Sequence, residues 1–147
     1  MGHNTTLGNH VILANGALLG GHVTVEDRAF ISGNCLVHQF VRIGTLALMQ
    51  GGSAISKDLP PFTIARGDNG ICGLNTVGLR RAGFTSEQRL ELRRLYHELF
   101  RSGKLLRAAA FAAESRYTDE LCRAVVRFIK ESKRGVCADV GGGTAAE

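Results

Sequence analysis

Cut in sixes from Leu7, residues 7–54 read LGNHVI, LANGAL, LGGHVT, VEDRAF, ISGNCL, VHQFVR, IGTLAL and MQGGSA, and Ile55 opens the next hexad. The first place of each is a large apolar residue: Leu7, Leu13, Leu19, Val25, Ile31, Val37, Ile43, Met49 and Ile55. The place four further on is small or slender: Val11, Ala17, Val23, Ala29, Cys35, Val41, Ala47 and Ser53. Neither the 3.6-residue period of a helix nor the two-residue period of a strand produces this spacing. A six-residue repeat belongs to the parallel β-helix solenoids, in which each hexad makes one short flat side of a triangular coil. The large residue points inward and the small one fits the crowded corner. Residues 5–57 are thus expected to form about three coils of about 18 residues.

Outward from the repeat, Lys57-Asp58-Leu59-Pro60-Pro61-Phe62 ends it, because paired prolines cannot continue a ladder of backbone donors. Four regions follow: coils over 1–58, a connecting loop with short extended pieces over 59–84, a helical domain over 85–135, and a disordered tail over 136–147 that holds Gly141-Gly142-Gly143. Thr85 or Ser86 caps the first helix, with Gln88 placed for a capping box. Leu92, Leu95, Tyr96, Leu99 and Phe100 make its apolar stripe. Ser102-Gly103 breaks it, a second helix runs through Leu105, Ala109 and Ala112, and Thr118 caps a third.

Composition narrows the class. Aromatics are 6% with no Trp, so the core is aliphatic, and nineteen glycines suit a turn-rich repeat. No apolar run approaches the ~20 residues that span a bilayer. Met1-Gly2-His3-Asn4 lacks the basic start and apolar stretch of a secretory leader. Cys35, Cys72, Cys122 and Cys137 lie far apart without a CxxC or Cys/His spacing. They read as thiols of a reducing cytoplasm, and no metal or cofactor is expected. Charge splits the chain: residues 1–79 hold four basic and four acidic side chains, residues 80–134 fourteen and seven, a balance of +7. Such a basic face draws acidic partners. Nucleic acid is set aside, since the basic helices have no interleaved aromatics or reading motif.

Histidine is the side chain suited to take a proton near neutral pH. His3, His22 and His38 are spaced by 19 and 16 residues, close to the 18 of a coil, so they fall near one edge of successive coils beside Gln39, Gly20 and Gly21. His10 and His97 have no such support. No Ser-His-Asp arrangement and no Walker sequence occurs.

Longer motifs extend the picture: Gly20-Gly21-His22-Val23, Val37-His38-Gln39-Phe40, Asp58-Leu59-Pro60-Pro61-Phe62, Gly73-Leu74-Asn75, Gly78-Leu79-Arg80-Arg81-Ala82-Gly83-Phe84, Arg101-Ser102-Gly103 and Ser132-Lys133-Arg134-Gly135. Together with Gly2-His3-Asn4 they resemble the acyl-carrier-protein-dependent UDP-N-acetylglucosamine O-acyltransferases of lipid A biosynthesis. The resemblance implies a left-handed parallel β-helix with a C-terminal helical domain, a cytoplasmic homotrimer, and a site between adjacent subunits. It implies transfer of a 3-hydroxyacyl group from acyl carrier protein to the sugar 3-hydroxyl. By matching position His3 would be the general base and the Gly21 N–H the oxyanion donor. His22, His38, Gln39, Asn75 and Arg81 would hold the sugar nucleotide, Gly52 would set acyl length, and the basic helices would dock the acidic carrier protein. This chain matches the C-terminal part of the family, whose members carry more coils before the equivalent of His3. Val77 stands where some members have a glutamate, Ala82 where an arginine is often found, and Asn4 where some members have an aspartate. Two other readings stay open: a related hexapeptide acyltransferase with another sugar-nucleotide acceptor, and an inactive fragment that only trimerises or binds acyl carrier protein.

Overall fold

The computed structural model describes residues 1–141. Each hexad contributes one two-residue strand: β1 Thr6–Leu7, β2 Ile12–Leu13, β3 Leu18–Leu19, β4 Thr24–Val25, β5 Phe30–Ile31, β6 Leu36–Val37, β7 Arg42–Ile43, β8 Leu48–Met49 and β9 Ala54–Ile55. They stack as three parallel sheets, β1-β4-β7, β2-β5-β8 and β3-β6-β9, the faces of a left-handed triangular prism. Every pairing joins residues 18 apart, as in Thr6↔Thr24 and Leu7↔Val25. The second residue of each strand is the one the six-residue repeat marks as large. From Leu19 to Ile55 all of these are buried, whereas Leu7 in the first coil is 38% exposed. The small residues Val23, Ala29, Cys35, Val41, Ala47 and Ser53 are buried at the corners.

At each corner one residue takes the left-handed backbone conformation: Asn4, His10, Gly16, His22, Arg28, Asn34, Phe40, Leu46 and Gly52. Glycine occupies only two of these nine places, although a side chain is disfavoured there. Cross-coil hydrogen bonds hold the conformation: the His22 N–H donates to His3 O (2.7 Å), Phe40 N–H to Gly21 O (2.9 Å) and Arg28 N–H to Asn9 O (2.8 Å).

After Pro60-Pro61 the connecting stretch, expected to hold short extended pieces, is regular over much of its length. Thr63–Arg66 (β10) and Gly70–Leu74 (β11) make an antiparallel hairpin, and Thr76–Arg81 is a short helix, α1. β10 pairs parallel with β8, Ile64 opposite Leu48, because the last coil still offers unpaired backbone groups along that face. The tail needs a larger correction. Residues 136–141 are ordered: Ala138–Asp139 (β12) pairs parallel with β11, and Cys137 is fully buried. Asp58 clasps this segment, its N–H donating to Gly135 O (2.9 Å) and its C=O accepting from Cys137 N–H (3.0 Å). Its carboxylate accepts from the Ser132 hydroxyl (2.6 Å) and Arg42 N–H (2.8 Å). Residues 142–147 of the expected tail lie outside the described residues.

Three further helices follow: α2 Ser86–Phe100, α3 Leu106–Ala113 and α4 Glu120–Glu131. Thr85 caps α2 with the full capping box to Gln88. α4 is capped by Asp119, whose carboxylate accepts from Leu121 N–H (2.9 Å), not by Thr118 as the sequence suggested. The helical domain reaches β7, where the Arg42 guanidinium sits 4.1 Å over the Phe128 ring and donates to Phe128 O (3.3 Å). Tyr96 on α2 donates to Asp139 Oδ1 (2.7 Å), tying the last strand to the helices. Among the described residues no helix is long and apolar enough to cross a membrane.

Candidate functional site

The corner between β3 and β4 stacks residues in three columns: Gly2, Gly20 and His38; His3, Gly21 and Gln39; Asn4, His22 and Phe40. The three histidines therefore share one corner but occupy three adjacent columns, the drift that spacings of 19 and 16 impose on an 18-residue coil. His3, His22, His38 and Gln39 are exposed, and Gly21 is half-buried. Of these, Gly21, His38 and Gln39 line a shallow recess of about 450 Å³ floored by Leu18 and Leu36.

Backbone geometry leaves a hydrogen-bond donor at this corner. In each turn the N–H one place before the left-handed residue points away from the ladder. At Asn9 the Asp27 carboxylate accepts it (2.7 Å), and at Thr45 the Glu26 carboxylate does (3.0 Å). At Gly21, as at Asn15, Gly33, Gln39 and Gly51, this N–H has no acceptor among the described residues, and Gly21 lines the recess. A Cβ at Gly21 would lie 3.3 Å from His3 O, which measures how closely His3 and Gly21 abut. His22 is held by its neighbour: its ring stacks on Phe40 with centroids 4.8 Å apart and planes 5° from parallel.

Asn75 and Arg81 lie elsewhere. They line a groove of about 520 Å³ on the outer side of the β2-β5-β8-β10 sheet, over Phe30 and Leu48. Asn75 is already engaged: Nδ2 donates to Leu46 O (2.9 Å), and Oδ1 accepts from Gly78 N–H (3.1 Å) as the cap of α1. Gly52 lies at a third corner, between β8 and β9. Its φ of 74° is the left-handed place held by Gly16 and Asn34 in the coils below. A Cβ there would meet nothing within 4 Å, so no channel wall of this one chain surrounds it. The backbone alone is reason for a glycine at 52.

The residues expected to act together thus divide between two faces and two corners of one chain. Sequence reasoning missed the Phe40 stack on His22 and the two arginines, Arg28 and Arg66, that join Arg81 in the groove. The available signal was the coil length: Phe40 lies 18 residues after His22, and His10, Arg28 and Leu46 form one such column. Among the described residues no group of three or more His, Cys, Asp or Glu side chains could hold a metal.

A hexad-built left-handed β-helix closed by a hairpin and a helical domain defines the class as hexapeptide-repeat solenoids. Within it, the chain belongs to the UDP-N-acetylglucosamine O-acyltransferase family, whose domain 2 model matches residues 58–137. An acyl-[acyl-carrier-protein]–UDP-N-acetylglucosamine O-acyltransferase of Paraburkholderia phymatum is 42% identical over 142 residues, taking in 92% of this chain and 54% of the relative. The solved UDP-N-acetylglucosamine acyltransferase of Campylobacter jejuni superposes with a TM-score of 0.87 at 38% identity, covering 92% of this chain and 54% of that one. The Arabidopsis enzyme gives 0.86 at 35% identity, covering 92% and 51%. The chain spans about half the length of the curated relatives it matches.

Proposed function

We propose that this chain carries the catalytic corner and the nucleotide groove of an enzyme that moves a 3-hydroxyacyl group from acyl carrier protein to the 3-hydroxyl of UDP-N-acetylglucosamine. The observation that carries this reading is that His3 abuts Gly21 on adjacent coils, where Gly21 lines the recess and its N–H has no acceptor among the described residues. Acyl transfer needs a base for the attacking hydroxyl and a donor where negative charge develops. The His3 imidazole takes the hydroxyl proton as the oxygen attacks the thioester carbonyl. The Gly21 N–H donates to the oxyanion. As the tetrahedral intermediate collapses, the imidazolium returns its proton to the leaving thiolate. His22, His38 and Gln39 hold the sugar, and Asn75 and Arg81 border the nucleotide. Gly52 is the family's acyl-length position in this reading.

The split of the site supports a cyclic homotrimer. The β2-β5-β8 face presents Ile12, Phe30 and Leu48 outward, and the β3-β6-β9 face presents Leu18 and Leu36; Ile12 is 52% exposed and Leu18 62%. Two different apolar faces on one subunit suit a heterologous contact that closes by rotation. Packing the second face of one copy on the first face of the next brings the histidine recess to a neighbour's groove. The +7 balance of residues 80–134 steers the acidic carrier protein toward the helices. Four free, buried cysteines are consistent with a cytoplasmic setting.

The test is transfer from 3-hydroxyacyl carrier protein to UDP-N-acetylglucosamine by purified chain of determined mass. Expected is turnover by a trimer, abolished in His3→Ala at unchanged melting temperature. Undiminished turnover in that variant removes His3 as the base. A folded trimer that binds acyl carrier protein without turnover replaces the enzyme reading with a binding module.

A further inference from the structure

One corner residue is held against its own backbone preference without the burial that explains its counterpart. Of the nine left-handed corner places in the coils, seven hold glycine, asparagine, histidine or arginine; the two apolar residues are Phe40 (φ 66°) and Leu46 (φ 56°). Leu46 is 7% exposed, so packing in the core offsets its strain. Phe40 is 51% exposed and lies outside the core cluster. A bulky residue in this conformation is an outlier, and outliers of this kind gather at functional sites. Among the described residues the Phe40 ring has one aromatic contact. It lies flat on the His22 imidazole, centroids 4.8 Å apart and planes 5° from parallel. That distance is about the spacing of neighbouring strands, so the stack runs along the coil axis from one coil to the next.

We propose that Phe40 is a positioning residue, whose ring fixes the His22 imidazole so that its nitrogen edge faces the sugar nucleotide. His22 is exposed, and among the described residues neither of its ring nitrogens has a hydrogen-bond partner. An exposed imidazole with no contact turns about two side-chain bonds, and ordering it on binding costs affinity. An apolar ring laid over one face removes that freedom before the ligand arrives. A hydrogen bond or ion pair would also fix the imidazole, but by occupying a nitrogen that the ligand needs. The stack leaves both free. Its two backbones are tied to the coil below: the His22 N–H donates to His3 O (2.7 Å) and the Phe40 N–H to Gly21 O (2.9 Å). The stack also stands at the rim of the recess, since Gly21 and Gln39, which precede His22 and Phe40, both line it. It is formed within one chain and needs no neighbour. That His22 holds the sugar nucleotide rests on the function proposed above; the stack itself does not.

Phe40→Asn tests this, because it removes the ring and leaves a residue that tolerates the left-handed backbone, as Asn4 and Asn34 do in the same kind of place. The variant should melt at or above the parent, which separates loss of the stack from loss of the fold. Its Kd for UDP-N-acetylglucosamine, read by NMR titration of the full chain, should rise about three- to tenfold, the size of an aromatic pair. In the transfer assay KM should rise by the same factor with kcat little changed. Phe40→Tyr should restore the parent values. Added to His22→Asn, Phe40→Asn should cause no further loss, since its effect passes through that imidazole. The His22 ring protons, shifted upfield by the Phe40 ring in the parent, should move to unstacked positions in Phe40→Asn. Parent-like Kd in Phe40→Asn overturns the proposal. So does a full second loss on top of His22→Asn, which would mean that Phe40 acts on its own, and so does a changed oligomeric mass, which would assign the ring to a subunit contact. His22 resonances that ignore UDP-N-acetylglucosamine in the parent overturn the role given to His22 above and the positioning role with it. Resonances that respond to the sugar nucleotide equally in the parent and in Phe40→Asn overturn the positioning role alone.

Discussion

Gly20→Ala tests how tightly the histidine corner is wound. A Cβ at Gly20 would lie 2.6 Å from Gln39 N, 3.0 Å from Gln39 Cα and 3.1 Å from His38 C. All three are backbone atoms of the next coil, so no side chain can swing aside. Bringing the first contact to an ordinary ~3.4 Å opens the corner by about 0.8 Å, in a stack whose coils repeat every ~4.8 Å. That movement pulls on the bonds from Gly20 N–H to Val37 O (2.8 Å) and from Phe40 N–H to Gly21 O (2.9 Å). Overpacking of this kind costs about 1–3 kcal/mol, or roughly 2–10 °C in melting temperature for a chain of this size. Two neighbours calibrate it. At Gly21 the nearest atom is His3 O at 3.3 Å, a contact that a small shift relieves; at Gly51 it is Gly33 O at 3.7 Å, ordinary packing. Thermal melting of the three alanine variants should therefore rank Gly20 as the most damaging, then Gly21, with Gly51 near the parent. Because the opened corner separates His38 and Gln39 from Gly21, Gly20→Ala should also lose turnover out of proportion to its melting shift. A Gly20→Ala chain that melts with the parent, or a Gly51→Ala chain that falls as far, refutes the steric reasoning.

Ile31→Ala removes a fully buried residue from the middle coil and should cost about 2–5 kcal/mol in denaturant unfolding. Asp58→Ala leaves the Arg42 N–H without its acceptor and the Ser132 hydroxyl with only Gly135 O (3.1 Å); about 1–3 kcal/mol of stability should be lost, and proteolysis near residues 132–141 should accelerate. Burial, aided by Asp119 and Asp58 respectively, pushes the Cys122 and Cys137 thiols up to about 12. The unfolded chain releases these protons first, so the stabilisation is complete below about pH 9 and is lost as pH rises toward 12, at about 1.4 kcal/mol per pH unit for each thiol. Denaturant midpoints at pH 8, 9 and 10 should fall, and Cys122→Ala/Cys137→Ala should flatten the fall. Burial and the hydrogen bond to Asp139 also raise the Tyr96 hydroxyl, which adds to the same trend above about pH 10.

The sequence by itself determined the coil. A side chain that must point into a triangular prism every sixth residue leaves a periodic trace, and Leu19 to Ile55 occupy the places that trace predicts. The capping box of Thr85 and Gln88 was legible for the same reason, since its partners lie three residues apart. Tertiary structure decided what depends on distant backbone. Ala138 pairs with Gly70, and no local pattern in a glycine-rich tail announces a strand that exists only because β11 offers it an edge. The hairpin over 63–74 forms because β8 leaves groups to pair. Left-handed corners at His22, Arg28 and Phe40 are imposed by winding and repaid by bonds to other coils, against the preference of the residues themselves. The candidate site shows the same division. Which residues are candidates for the chemistry was legible from their types and motifs. That His3 abuts Gly21, that Phe40 stacks on His22, and that Arg28 and Arg66 share a groove with Arg81 follows only from an 18-residue coil laying distant residues side by side.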